Sequence, residues 1–352
     1  MKVLLITKNF NLGGAEAHVC ELANTLVDFG HDVILISKEG QQKNKLDPKV
    51  KHYIWKITDL NYFPNVLKLK KLVQQEKVDI IHGHQRLAIS MAALVGKLCK
   101  IPVIATAHGK IKYDLRSNTI RKRIDKAICV RESSLKKARD CKYLKDKSSL
   151  ILNGVKSYAN SRTSTEYTLM YGSRIDKRHG WVLLLLINKV LLRLRRDYPS
   201  IKLVVWGDGQ EKPAVETAAM EANTQYPKLV ELNGYTETLG AEYKAANLAL
   251  ACARSAMDAL VAGTNVLLVN FHHLGEVIQE DNYEYYKGDN FEAKRCAKPD
   301  EASLYEGIKG FFEKQEWYEQ QMHLLEGSIQ NDLVVESSVR KIEQEYQKLV
   351  SS

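Results

Sequence analysis

Lys2-Val3-Leu4-Leu5-Ile6-Thr7, then Asn11-Leu12-Gly13-Gly14-Ala15-Glu16, then a helical pattern through Val27 and the run Asp32–Ser37: this opening stretch decides the fold. Residues 2–7 form a short apolar run of the kind buried on both faces of a parallel sheet. Ala17, Val19, Leu22, Ala23, Leu26 and Val27 recur at helical spacing, and Gly30 ends that helix. Strand, glycine turn, helix, strand is the βαβ unit of a doubly wound α/β sheet. Gly13 and Gly14 let backbone come close to a ligand, and the helix start offers N–H groups to an anion. A plain tight turn is the other reading, because the full Gly-x-Gly-x-x-Gly fingerprint is absent.

The βα rhythm continues. Residues 66–76 read as a helix rich in lysine (Lys68, Lys70, Lys71), and 78–82 as a strand leading to Gly83-His84-Gln85-Arg86. Residues 87–99 read as a helix, and 102–106 as a strand ending in Ala107-His108-Gly109. A basic stretch follows: Lys110, Lys112, Arg116, Arg121, Lys122 and Arg123. Strands are expected at 126–130 and 149–152. Residues 156–167 turn polar, with Ser157, Asn160, Ser161, Thr163, Ser164 and Thr165, and read as an interdomain linker. The second half repeats the pattern. It has strands at 169–172, 202–206, 230–232, 248–252 and 265–270, and helices at 180–197, 213–221, 239–246 and 254–262. The tail from Glu301 is helical. The expected division is 1–160, 161–325 and a final helix over 326–352 that crosses back to the first domain. Two Rossmann-like halves place a crevice at the C-terminal ends of their strands.

The stretch 171–180, Tyr171-Gly172-Ser173-Arg174-Ile175-Asp176-Lys177-Arg178-His179-Gly180, ends one of those strands. Four side chains in it can carry positive charge, between two glycines. It reads either as a cradle for a polyanion such as a diphosphate or as a solvated basic loop.

Composition bounds the partners. The chain has 352 residues, enough for two domains, and 45% are hydrophobic. Lysine and arginine number 52 against 42 acidic residues, a net charge of +10. That balance suits an anionic substrate, an anionic membrane surface or nucleic acid. Aromatic residues rarely interleave with the basic ones and no nucleic-acid motif appears, so nucleic acid is not expected. The six cysteines form no Cys-x-x-Cys pair, which fits a reducing cytoplasm. No apolar run approaches the roughly 18 residues of a spanning helix, and the N-terminus shows no cleavable signal pattern. A cytoplasmic protein, or one peripheral at the inner face of a membrane, is expected. His82-Gly83-His84 and His272-His273 lack metal-ligand spacing, so no metal is expected.

Six segments in order resemble glycosyltransferase family 4, whose members have the GT-B fold. Gly13-Gly14-Ala15-Glu16 resembles its Gly-Gly-x-Glu start, and Thr106-Ala107-His108-Gly109 its histidine loop. Ile151-Leu152-Asn153-Gly154-Val155 resembles Ile-Pro-Asn-Gly-Val. Residues 173–180 resemble Gly-Arg-Leu-x-x-x-Lys-Gly, Val204–Gly209 the Gly-x-Gly strand end, and residues 254–263 the helix that reads Glu-Ala-Met-Ala-x-Gly.

The resemblance implies two Rossmann-like domains facing across a cleft. It also implies transfer of a sugar, with retention, from a UDP- or GDP-linked donor to a polysaccharide-precursor or lipid-linked acceptor, without metal or other cofactor. It implies that Arg174, Lys177 and His179 meet the diphosphate and that His108 faces the sugar or acceptor. Gly13 and Gly14 would lie under the diphosphate, Gly234, Tyr235 and Thr236 beside the base, Arg254 and Ser255 at the phosphate, and Asp258 on the ribose. Two departures stand out: Leu250 occupies the place, eight residues before Asp258, of a family glutamate, and His179 that of a lysine. A binding or scaffold protein that kept the fold without the chemistry is the alternative, and a nucleotide-sugar epimerase a third.

Overall fold

The computed structural model describes residues 1–111, 115, 117–158 and 167–351. Lys112 and Arg116 of the basic stretch, and Asn160, Ser161, Thr163, Ser164 and Thr165 of the expected linker, lie outside the described residues. The chain divides into two compact units, Met1–Gly154 with Val335–Ser352, and Val155–Val334.

The first unit is built on seven parallel strands: β1 (Lys2–Ile6), β2 (Asp32–Ser37), β3 (Lys51–Ile54), β4 (Ile80–His84), β5 (Val103–Ala107), β6 (Lys126–Cys129) and β7 (Ser148–Leu150). Their spatial order is β3-β2-β1-β4-β5-β6-β7. β1 pairs with both β2 and β4, so the Lys2–Ile6 run is central, and Val3 to Ile6 are wholly buried. Helices Gly14–Asp28 and Val335–Val350 cover one face, where Val19, Leu22, Leu26, Val339, Ile342 and Tyr346 share a core with Val3 and Leu5. Helices Tyr62–Glu76 and Arg86–Cys99 pack on the other face, around Leu4, Ile6, Leu69, Val73 and Met91.

The second unit has six strands: β8 (Thr168–Gly172), β9 (Lys202–Trp206), β10 (Val230–Gly234), β11 (Leu248–Ala251), β12 (Asn265–Val269) and β13 (Leu274–Val277). Their order is β10-β9-β8-β11-β12-β13, which repeats the 3-2-1-4-5-6 arrangement of the first unit. Only the β12–β13 pair is antiparallel. The helix Lys177–Leu185 continues through a π turn, Leu186–Leu191, into Leu192–Asp197 and buries Leu183, Leu186, Ile187, Val190 and Leu194.

Several expectations need correction. Gly83 and His84, read as a loop, belong to β4. Gly83 pairs with Ala105, and a Cβ there would lie 2.8 Å from Ile89 Cα, so the glycine serves helix–sheet packing. The final crossing falls at Val335, not at 326. Residues 326–333 continue helix Gln315–Leu333, which buries Met322, Leu325, Ile329 and Leu333 within the second unit. The first crossing falls after Gly154, because Val155 N–H donates to Leu333 O at 2.8 Å and Tyr158 O accepts from Lys244 Nζ. No helix among the described residues is long and apolar enough to cross a membrane.

Candidate functional site

In the second unit, the stretch 171–180 is a strand end, a bridge and a helix start. The helix begins at Lys177 rather than at 180, because Asp176 Oδ1 accepts the N–H of Arg178 (3.0 Å) and of His179 (3.1 Å) and so caps it. The bridge is held backbone to backbone. Ser173 N–H donates to Trp206 O (3.0 Å), Ile175 N–H to Asp208 O (2.9 Å), and Glu211 N–H to Ile175 O (2.9 Å). A Cβ on Gly207 would fall 1.9 Å from Ser173 O, and one on Gly209 2.6 Å from Ile175 O. The Gly-x-Gly strand end therefore clamps the arginine-bearing bridge. Arg174 and Lys177 are exposed and, among the described residues, join no ion pair.

Helix Ala253–Val261 is tied to the same edge. Ser255 Oγ donates to Gly172 O at 2.7 Å and also bonds Tyr243 Oη. Ser255 is thus not the N-cap that a serine at a helix start suggests. Cys252 holds that position, and no side chain caps the helix. Asp258 sits in the second turn of this helix, so the helix dipole favours it little. Leu250 is not a loop residue that has lost a carboxylate. It lies in β11 opposite Tyr171, 1% exposed, and only Cys252 separates that strand from the helix. The connection has no room for a glutamate-bearing loop. At the end of β10, Gly234 takes φ +76°, Tyr235 is 53% exposed, and Thr236 Oγ1 accepts the Thr238 N–H at 3.1 Å.

His179 departs from its expected role as a cation. Its Nδ1 lies 2.8 Å from the hydroxyl of Tyr171, which is buried at the end of β8. Burial first, then Arg174 and Arg178, hold its pKa below the ordinary imidazole value against the pull of Asp176. At pH 7 it is a neutral hydrogen-bonding ring. His179→Lys is therefore expected to destabilise by about 1–3 kcal/mol, since it leaves the buried Tyr171 hydroxyl unpartnered. Urea unfolding checks this; equal midpoints for variant and parent would refute the bond's importance.

In the first unit, the glycine turn already faces a carboxylate. A Cβ on Gly13 would lie 2.4 Å from Glu16 Oε2. Glu16 Oε1 accepts from Gln85 Nε2 at 2.8 Å, and Gln85 Oε1 accepts the Asn9 N–H at 3.2 Å. An incoming anion at Gly13 would meet like charge from Glu16, although no side chain caps this helix. Gly14 has open space around its Cβ direction.

His108 does not stand alone. Its Nε2 lies 3.0 Å from His84 Nδ1, and the two rings stack at 5.3 Å. His82 and His84 alternate on β4 and so face the same side. His82 bonds Tyr346 Oη (2.6 Å) and Thr106 Oγ1 (2.7 Å), and His18 lies 5.3 Å from the His108 ring. Burial pushes His82 down to about 3; burial and the nearby Arg131 push His108 down to about 4; burial and its histidine neighbours push His84 well below the usual range. The spacing His-x-His on a strand is the signal in the sequence for this cluster, whereas the family resemblance points to His108 alone. Among the described residues, no group of three or more His, Cys, Asp or Glu side chains is arranged to hold a metal.

Residues 12–157 match the family model Glycosyltransferase Family 4. The Arabidopsis thaliana phosphatidylinositol N-acetylglucosaminyltransferase subunit is 27% identical over 244 residues, 61% of this chain and 54% of that protein. The phosphatidyl-myo-inositol mannosyltransferase of Mycolicibacterium smegmatis is 26% identical over 227 residues, 58% of each chain. This chain thus spans little more than half the length of these relatives. Among solved structures, Anabaena HepE in complex with UDP and glucose superposes with a TM-score of 0.71 at 13% identity, covering 99% of this chain and 100% of that one. A glycosyltransferase from Rickettsia africae gives 0.72 at 16% identity, covering 100% and 99%. With a central 3-2-1-4-5-6 strand order in both sheets and these superpositions the chain has the GT-B fold, and its residues 12–157 are similar to glycosyltransferase family 4.

Proposed function

We infer that this chain is a retaining hexosyltransferase that moves a sugar from a nucleoside-diphosphate donor to a glycan or lipid-linked acceptor at the cytoplasmic face of a membrane. The relatives named above act on phosphatidylinositol-based lipids or carry UDP, which supports this class of donor and acceptor. One observation carries the reading: the 2.7 Å bond from Ser255 to Gly172 O. It ties an uncapped helix start, with Arg254 beside it, to the strand end that leads into Arg174.

Negative charge builds on the β-phosphate as the glycosidic bond breaks. Arg174 offers a planar fork for two phosphate oxygens, Lys177 a second charge, and the helix start its N–H groups. Asp258 is assigned to the ribose hydroxyls, and Gly234, Tyr235 and Thr236 to the base. His108 is neutral over the physiological range, so it serves as a hydrogen-bond partner for a hydroxyl rather than as an acid. No step requires a metal in this scheme, because fixed cations meet the leaving group.

Arg174→Ala is expected to lower kcat by roughly 10²–10³, as loss of one leaving-group donor does. A panel of UDP- and GDP-hexoses, assayed for nucleotide release and by calorimetry, checks it. Absence of binding by every donor would sink the reading. The buried Leu250 and the neutral His179 favour a second one, a protein that binds nucleotide sugars without turning them over. Slow donor hydrolysis lost in Arg174→Ala would count against that.

A further inference from the structure

A second concave site lies in the first unit, away from the histidine cluster. A cavity of about 660 Å³, large enough for a small molecule, opens between the end of helix Arg86–Cys99 and the side of helix Asn118–Arg123. Lys97 and Lys100 line it from the first helix end. Thr119, Lys122 and Arg123, three and four residues apart, line it from one face of the second helix. Lys100 lies just before β5, and Asp125 directly precedes β6, so the cavity sits at the N-terminal edge of the parallel sheet. His84 ends β4, His108 follows β5 and Arg131 follows β6, all at the opposite edge.

The charges around the cavity do not balance. Among the described residues Lys97, Lys100, Lys122 and Arg123 join no ion pair, and Lys122 Nζ rests 4.9 Å from the Tyr143 ring centre. Asp125 is the one acid lining the cavity among the described residues, and its Oδ2 already accepts the Val103 N–H at 2.8 Å. Lysines at a helix C-terminus often do no more than offset the helix dipole. That accounts for too little here. The end of helix Arg86–Cys99 carries about half a negative charge and Asp125 one, which leaves roughly two to three of the four positive charges unmatched. A phosphate group, at about −1.5 to −2, matches that excess. A lipid fits less well. None of the exposed large apolar side chains among the described residues lines the cavity, so an acyl chain would find no apolar surface there.

We propose that this cavity binds a free phosphorylated small molecule, of sugar-phosphate or diphosphate size, between Lys97 and Lys100 on one wall and Lys122 and Arg123 on the other. The ligand relieves the mutual repulsion of the four cations, and the Thr119 hydroxyl is placed to bond a phosphate or sugar oxygen. The site is separate from the donor and acceptor residues, and it is measured without either substrate.

The test is calorimetric titration of the full chain with inorganic pyrophosphate. Binding is expected, and it should weaken as salt rises. Lys97→Gln with Lys122→Gln, one change on each wall, is expected to weaken it about 10-fold or more, since charge-assisted bonds are lost on both sides. Lys100→Gln alone should weaken it several-fold. Lys97, Lys100 and Lys122 are exposed, so an unchanged thermal melt verifies the variant fold. Lys38→Gln with Lys56→Gln removes equal charge beyond the other edge of the same sheet and should change nothing. Arg174→Ala should bind pyrophosphate as the parent does, because Arg174 belongs to the second unit. Absence of binding would overturn the proposal, as would binding that the Lys38 and Lys56 changes weaken as much as the cavity changes, which means bulk charge alone. Binding lost in Arg174→Ala would place the anion at the donor residues and overturn it too. So would capture of phosphatidylglycerol vesicles, abolished by the cavity variants, by a chain that ignores free pyrophosphate. A chain that releases nucleotide from donor sugars but does not bind pyrophosphate here loses this site alone and keeps the transferase reading.

Discussion

Removing residues 335–352 is expected to unfold the first unit while leaving the second folded. Helix Val335–Val350 lies far along the chain from the strands it covers, yet Val335, Val339, Ile342 and Tyr346 are 0–3% exposed in the core of the first sheet. At about 1.5–3 kcal/mol for each buried side chain, their loss removes roughly 6–12 kcal/mol, which is comparable to the whole stability of a domain. Polar ties go with them. Tyr346 Oη bonds His82 Nδ1, Ser338 Oγ donates to Leu152 O, Glu343 pairs with His31 at 2.9 Å, and Lys126 with Glu345 at 2.8 Å. The second unit keeps every strand and its own terminal helix Gln315–Leu333. Hydrogen exchange resolved by peptide is the check. Retained protection over β1, β4 and β5 in the truncated chain would show that the helix is an accessory.

Acidification is expected to destabilise the same unit between pH 6.5 and about 4. His82, His84 and His108 are buried neutral, with pKa values held below the unfolded value of about 6.5. The sign follows from proton binding. Below pH 6.5 the unfolded chain takes up protons that the folded chain refuses, so stability falls as pH falls, at up to ~4 kcal/mol per pH unit if all three contribute. Above pH 6.5 both states are neutral and the effect vanishes. Among the described residues, His18, Thr106, Tyr346 and Arg131 lie against the cluster, and none of these four is an acid that would favour the charged rings. Urea midpoints at pH 7, 6 and 5 provide the measurement. A His82→Gln variant should flatten the slope, and a stability that is constant from pH 7 to pH 5 would show that the rings titrate normally.

The architecture was legible because its central strands are near-continuous apolar runs with glycine turns between them. The elements that went unread are those with weak apolar signal. β3 reads Lys51-His52-Tyr53-Ile54 and lies at a sheet edge, where alternation has little to bury. β13 reads Leu274-Gly275-Glu276-Val277, and helix Glu280–Gly288 is charged and tyrosine-rich. At the site, a histidine in sequence does not declare its partner. The resemblance makes His179 the counterpart of a lysine, but Tyr171, eight residues back, claims its ring. Counting eight residues back from Asp258 reaches Leu250, yet counting cannot show that strand and helix meet with one residue between them. The Gly13 turn looked open for the same reason, because Glu16 reaches back over it only once Gln85 holds its carboxylate.

The return of the last helix to the first sheet also sets an order of events during synthesis. His82 and Tyr346 are 264 residues apart, so the face of β1, β4 and β5 that this helix covers stays exposed until the whole second unit has been made. The second unit is continuous in sequence and complete at Val334, so it can close before the first. The half translated first is therefore the half that finishes last, and its uncovered apolar face is the surface most in need of a chaperone while the ribosome works.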